Sequence, residues 1–330
     1  MAFITLTPEN VMSEHLCCAI ADKKHQTGVN DKRNWLAERI KEGHVFCKLD
    51  AQGKVFIEYA PLEKAWVPVT GDNYFYIYCL WVSGSYKGKG YGKELLQSCI
   101  DDAKAQGKSG ICLLSSKKKK PFLSEKKFML KYGFKVVDTI NDEYELLALS
   151  FDGTQPQFTS NVRKQSIEGK ELTIYYGVQC PYIPNCIEQI YNYCENNQIP
   201  LRLVEIDTLE KAKQLPCIFN NWAVFYNGKF EIVQLCNEGL LQTLLLRQLR
   251  KEQKQYLCII CIIKTNNMEK LNQYHRQAIA KKMKSIAYWR KHPMSREECL
   301  NQFKQLREQR SLRESRFQTS KDSQETEGIG

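Results

Sequence analysis

The chain has 330 residues, enough for two domains, and 43% of them are hydrophobic, enough to fill real cores. Its 48 Lys and Arg against 37 Asp and Glu give a net charge of +11, but the excess is local. Residues 241–330 carry 19 basic and 9 acidic side chains while residues 1–240 carry 29 and 28, which excludes a nucleic-acid-binding face spread over the whole protein.

In chain order, residues 3–7 (Phe-Ile-Thr-Leu-Thr) alternate as a short first strand. Glu9–Ala21 carries Val11, Met12, His15, Leu16, Cys18 and Ala19 at helical spacing. Asp31 reads as the N-cap of a second helix with Trp35, Leu36 and Ile40 on one face, closed by Gly43. Val45–Leu49 and Val55–Tyr59 read as a hairpin through Asp50-Ala51-Gln52-Gly53, and Ala65–Val69 continues irregularly. His15, His25 and His44 have no partner at metal or nucleophile spacing, and no metal is expected.

The aromatic run Tyr74–Val82 is strand chemistry, and it leads into Tyr86-Lys87-Gly88-Lys89-Gly90-Tyr91-Gly92-Lys93-Glu94. Leu95, Leu96, Cys99, Ile100 and Ala103 then recur at helical spacing, with Gly107 as a stop. The glycines therefore sit on a turn between a strand and a helix N-terminus. Such a turn collects unpaired N–H groups and the positive end of the helix dipole, and Lys87, Lys89 and Lys93 add charge. This is a phosphate cradle. It is not a Walker loop, because Gly92-Lys93-Glu94 supplies no hydroxyl for magnesium, and its glycine spacing fails the dinucleotide fingerprint.

Lys87-Gly88-Lys89-Gly90-Tyr91-Gly92 resembles the R/Q-x-x-G-x-G/A loop of the GNAT superfamily of N-acetyltransferases, with Lys87 where Arg or Gln is usual. Further on, Ser109–Ser116 reads as a buried strand, Lys117–Lys120 as a basic loop before Pro121, Phe122–Tyr132 as a helix capped by Gly133, and Phe134–Val137 and Tyr144–Leu149 as the last strands. Phe128-Met129-Leu130-Lys131-Tyr132-Gly133-Phe134 resembles the F-Y-E-K-L-G-F signature of the same superfamily. The resemblance implies an α/β acyl-CoA N-acyltransferase fold over residues 1–150. It implies acetyl-CoA as co-substrate, with Leu80, Trp81 and Val82 beside its pantetheine arm and the loop from Lys87 to Lys93 around its pyrophosphate. Lys117–Lys120 reads as a solvated loop, or as a basic rim near the cofactor's 3′-phosphate.

Acetyl transfer to an amine also needs a proton acceptor and a proton donor. Met129 stands where the signature carries its tyrosine and has no proton to give; Tyr132, three residues on, points elsewhere on the helix and is the substitute acid. Glu58 on the third strand is the candidate base, or an exposed strand residue.

Residues 151–170 are polar and read as a linker. Residues 171–237 follow as strand (Glu171–Val178), Cys180-Pro181, helix (Ile187, Ile190, Tyr191, Cys194), strand (Leu201–Ile206), strand (Trp222–Tyr226), an Asn227-Gly228 turn and a last strand to Leu235. That is the thioredoxin order in degenerate form: a C-x-x-C would need cysteine at Ile183, and Cys186 lies six residues from Cys180 on another helix face. The pairing of the two domains, with Phe225-Tyr226-Asn227-Gly228-Lys229-Phe230, resembles the bacterial YoaP-like acetyltransferases.

Residues 238–330 read as a basic, mostly helical extension. Leu240–Leu249 is apolar-rich, Cys258–Cys261 is a lone C-x-x-C without a second ligand pair, His292-Pro293 breaks the helical stretch 268–317, and 319–330 reads as disordered. This extension is solvated, or it binds nucleic acid or another partner. Met1-Ala2-Phe3-Ile4-Thr5 has no charged n-region, Tyr256–Ile263 is too short to span a bilayer, and the 14 cysteines are scattered, so a cytoplasmic protein with reduced thiols is expected. The functional expectation is direct acetyl transfer in a ternary complex to an amine of a small molecule or peptide. The alternative is a non-catalytic coenzyme A sensor whose second domain docks a partner.

Overall fold

The structure is a computed structural model and describes residues 2–16 and 23–248. The expectations for 249–330, including Cys258–Cys261 and the basic helices, lie outside the described residues.

The elements run β1 (Phe3–Thr5), α1 (Gln26–Ile40), β2 (Val45–Leu49), β3 (Val55–Pro61), β4 (Val69–Thr70), β5 (Tyr74–Val82), α2 (Tyr91–Ala105), β6 (Gly110–Ser116), α3 (Lys126–Leu130), β7 (Lys135–Ile140) and β8 (Tyr144–Ser150). They continue as β9 (Gln157–Phe158), β10 (Leu172–Tyr176), α4 (Ile183–Asn196), β11 (Leu201–Glu205), α5 (Leu209–Lys213), β12 (Trp222–Tyr226) and β13 (Lys229–Ile232). A helix also covers 238–248. One compact unit runs to Tyr191 and resumes over Leu201–Asn237; Asn192–Pro200 and the segment from Glu238 belong to a second.

Seven strands form one sheet in the order β1-β2-β3-β5-β6-β8-β7. All its pairs are antiparallel except β5 with β6, whose parallel pairing covers Tyr74–Tyr76 against Gly110–Cys112. Alternation along β5 divides its side chains between two faces. Phe75 and Ile77 pack with Leu95, Leu96, Cys99 and Met129 from α2 and α3. Tyr74, Tyr76 and Tyr78 pack on the other face with Leu114, Tyr144, Leu146, Phe158, Val162, Ile218 and Val233. On that same face, nearer the β1 edge, Phe46 and Phe56 meet Val29, Trp35 and Leu36 of α1.

The residues after 150 are therefore part of the core. Residues 151–170, expected as a linker, are packed: Phe158 pairs with Val69 across β4 and β9, and Phe158 and Val162 are buried. Their polar composition hid two apolar anchors. Beyond them, β11-β10-β12-β13 make a mixed sheet, with β10 and β11 parallel and the other pairs antiparallel. Asn227 and Gly228 both take positive φ in the hairpin turn, as an Asn-Gly pair does. Lys213 of α5 ties this second lobe to the first, donating to the carbonyls of Leu62 and Val69 at 2.8 and 2.9 Å. Burial lowers its pKa to about 8.

Three local expectations change. Residues 8–14 are turns instead of the start of a helix over Glu9–Ala21, and 17–21 lie outside the described residues. Asp31 is not an N-cap: α1 begins at Gln26, and its buried face runs Gly28, Val29, Lys32, Trp35 and Leu36. Poor helix formers at Gly28 and Asn30 masked that start, but Gly28 is where Pro181 of the second lobe lies against the helix. A Cβ there would collide with the Pro181 carbonyl oxygen. The helix expected over Phe122–Tyr132 is only α3, because Phe122 takes φ +62 and Ser115 Oγ donates to the Ser124 carbonyl, holding 122–124 out of the helix.

Candidate active site

The site begins at a defect in the sheet. Between Glu58 and Tyr59 the β3–β5 register slips, so that Cys79 pairs with Glu58 and Ile77 with Tyr59, leaving Tyr78 as the extra residue of a β-bulge. A bulge bends its strand, and β5 pairs with β6 only as far as Tyr76. Beyond that point the two parallel strands separate. Leu80, Trp81 and Val82 lie on the β5 side of the opening, Trp81 being 42% exposed.

The chain next turns through Gly84–Tyr86 into the cradle. Lys87, Gly88 and Lys89 are exposed; Gly88 and Gly90 take φ +76 and +89, and Gly90 is the N-cap of α2. Tyr91, Gly92 and Lys93 form the first turn, whose N–H groups ahead of Lys93 have no intrahelical acceptor. No atom lies within 4 Å of where a Gly88 Cβ would be, so that side of the cradle is open. All ten residues expected to hold the cofactor thus lie along one continuous path from the strand opening to the helix dipole.

Beside the opening is a cavity of about 70 Å³. Glu58, Cys79, Leu80 and Trp81 line it from the first lobe, with Phe122–Ser124, and Gln179, Cys180, Asn220 and Asn221 from the second. Glu58 is not an exposed strand residue: it is 0% exposed. Its Oε2 accepts from Lys32 Nζ at 2.6 Å, and its Oε1 lies 3.1 Å from His44 Nε2. Burial alone would raise its pKa, but the Lys32 ammonium and the His44 hydrogen bond outweigh burial and lower it to about 2. Glu58 therefore presents a full negative charge at any physiological pH.

That depression has a consequence for stability. Because the folded-state pKa lies below the ordinary 4.5, the contribution of Glu58 is complete above about pH 4.5 and is lost as the pH falls toward about 2. It is on the order of 3 kcal/mol. Urea unfolding at pH 6, 4 and 2.5 should show wild type losing about that much more stability than Glu58→Gln/Lys32→Met; equal losses would contradict the assignment.

Tyr132 does not line the Glu58 cavity. It packs at 4.9 Å against Phe128, whose ring reaches the space beside Gly92. Met129 is buried. Lys117, Lys119 and Lys120 pair with Asp142, Glu125 and Glu143, which fits a solvated loop better than a cofactor rim. Cys180 is half-buried, and burial pushes its thiol and that of Cys186 up to about 11, so neither is an activated nucleophile.

The family model described as acetyltransferase (GNAT) family matches residues 10–134, and the YoaP-like model matches 200–242. The chain is 40% identical over 250 residues to the uncharacterized N-acetyltransferase YoaP of Bacillus subtilis (strain 168), an alignment covering 74% of this chain and 100% of that protein. The chain belongs to the YoaP-like GNAT N-acetyltransferases. Among solved structures, the PaiA N-acetyltransferase of Thermoplasma acidophilum in complex with coenzyme A is 18% identical, with 46% of this chain and 100% of that chain covered and a TM-score of 0.33. A putative GNAT-family acetyltransferase of Desulfovibrio desulfuricans is 16% identical, with 45% and 98% covered and a TM-score of 0.34.

In this YoaP-like chain the sequence reading missed Lys32, His44 and the second lobe's share of the site. His44 had a signal. The hairpin register puts Phe46 opposite Glu58, so His44 falls diagonal to Glu58 on the same face. Lys32 had none, because only the docking of α1 brings it there. Among the described residues no group of three or more His, Cys, Asp and Glu is placed to hold a metal, and no helix is long and apolar enough to cross a membrane.

Proposed function

We propose that the protein transfers the acetyl group of acetyl-CoA directly to the amine of a small polar acceptor in a ternary complex. The observation that carries this reading is the bulge at Tyr78, which opens the β5–β6 pair in line with the glycine cradle of α2. The backbone of Leu80, Trp81 and Val82 would hold the pantetheine arm. Gly88, Gly90, Tyr91 and Gly92 offer main-chain N–H groups to the pyrophosphate, and Lys87, Lys89 and Lys93 add positive charge. Main-chain recognition explains why Lys87 can replace the usual Arg or Gln.

Glu58 faces the acceptor end. Its charge favours an incoming ammonium, and because a carboxylate titrating near 2 is a weak base, the ammonium proton leaves to water as the C–N bond forms. Tyr132 is the candidate donor to the departing thiolate, in place of the tyrosine that Met129 replaces. The order β11-β10-β12-β13 supports a thioredoxin-like second lobe put to structural use, since Ile183 occupies the place of the second redox cysteine. Nine free cysteines among the described residues fit a reducing cytoplasm.

Calorimetric titration of acetyl-CoA into the full chain tests the cofactor assignment. Wild type should bind, Gly90→Glu should not, and Lys93→Glu, which strains no backbone, should weaken binding by about tenfold or more. No binding by wild type at millimolar ligand would end the acetyltransferase assignment of this loop.

A further inference from the structure

The second lobe does more than cover the sheet. Asn220 Nδ2 donates to the Tyr78 carbonyl at 3.2 Å, and Asn220 Oδ1 accepts from the Tyr76 hydroxyl at 2.8 Å, so one asparagine fastens this lobe to the bulge itself. The next residue, Asn221, lines the cavity, and its backbone carbonyl accepts from the Gly177 N–H at 3.0 Å. Its Nδ2 donates to Gln179 Oε1 at 3.0 Å. That bond leaves Gln179 Nε2 and Asn221 Oδ1 without a hydrogen bond among the described residues, although Gln179 is only 6% exposed. Both atoms reach solvent, since neither is a fully buried polar atom lacking a partner, so a bound polar group can take the place of water on them. These two groups, one donor and one acceptor, belong to residues that line the same cavity as Glu58.

We propose that Gln179 and Asn221 select the acceptor, binding the neutral polar group of a small primary amine whose nitrogen lies toward Glu58. This rests on the transferase reading above and deepens it. The cavity, about 70 Å³, has room for about five water-sized groups, which fits an amino alcohol or a small amino amide. A hydroxyl or carboxamide satisfies the Gln179 donor and the Asn221 acceptor together. An alkylamine satisfies neither, and a diamine sets a second cation near Lys32.

The test uses the full chain, saturating acetyl-CoA and release of free thiol, with ethanolamine, glycinamide, propylamine and putrescine as acceptors. Wild type should favour ethanolamine and glycinamide over propylamine and putrescine by about tenfold or more in kcat/KM. Gln179→Leu and Asn221→Leu should erase most of that preference, mainly through KM, with acetyl-CoA affinity within about twofold of wild type as the check on folding. The inference is overturned if the leucine variants keep the wild-type ranking, if propylamine or putrescine serves as well as ethanolamine, or if acetyl-CoA binds but none of the four amines releases thiol. A wild-type chain that fails to bind acetyl-CoA overturns the transferase reading, and this inference with it.

Discussion

A chain ending at residue 150 is expected not to fold, even though it holds all seven strands of the main sheet and the whole cradle. Its sheet would keep α2 on one face and α1 at the β1 edge of the other, and would lose the rest of that second layer. Tyr74, Tyr76, Leu114, Tyr144 and Leu146 are each under 5% exposed and share a cluster with Phe158, Val162, Ile218 and Val233. Burying a large apolar side chain is worth about 1.5–3 kcal/mol, so uncovering five of them costs about as much as the whole stability of a typical domain. The truncation also strands Tyr78's carbonyl, the bonds from Lys213 to Leu62 and Val69, and the β4 strand. Expression of residues 1–150 beside the full chain, followed by circular dichroism melts and dye binding, should give aggregated material or a non-cooperative melt. A cooperatively melting 1–150 fragment that binds acetyl-CoA would show that the second lobe is a separate domain after all.

Glu58→Gln should lower stability by about 3–5 kcal/mol, because it removes the Glu58 charge from beside the Lys32 ammonium, itself 1% exposed. For a folded unit of this size that is a fall of roughly 10 °C in Tm. The double variant Glu58→Gln/Lys32→Met should recover most of the loss, since methionine fills the lysine's path against Phe46 without a charge. The double variant also separates the two roles of the carboxylate. If Glu58 serves acetyl transfer, the recovered protein stays impaired by about 100-fold or more with acetyl-CoA affinity intact. If it turns over at the wild-type rate, the ion pair is only structural, and the proton acceptor lies elsewhere.

What was legible in the sequence was whatever rests on neighbours in the chain. Tyr74–Val82 begins and ends as its aromatic and β-branched run does, and Gly133 and Asn227-Gly228 take the positive φ their types suggest. The cradle could be read because a strand, a glycine turn and a helix occur in direct succession. What escaped depends on contacts far apart in sequence. The early start of α1 lies where Gly28 meets Pro181, and Phe158 and Val162 anchor a stretch whose polar residues outnumber them. Glu58 was visible as a strand carboxylate, but its burial against Lys32 requires α1 to lie across β2 and β3. The slip at Tyr78 has no local sign, since every residue from 74 to 82 suits a regular strand.

The contact between Gly28 and Pro181 joins two stretches of main chain more than 150 positions apart, with no side chain of residue 28 between them. A junction of this kind has nothing that can be adjusted by small steps. Any side chain at 28 forces the partner backbone away, and a shift of that backbone moves the neighbouring Cys180 and Gln179 with it. Replacing either lobe alone would therefore have to reproduce this backbone junction or rebuild the helix that leans on it.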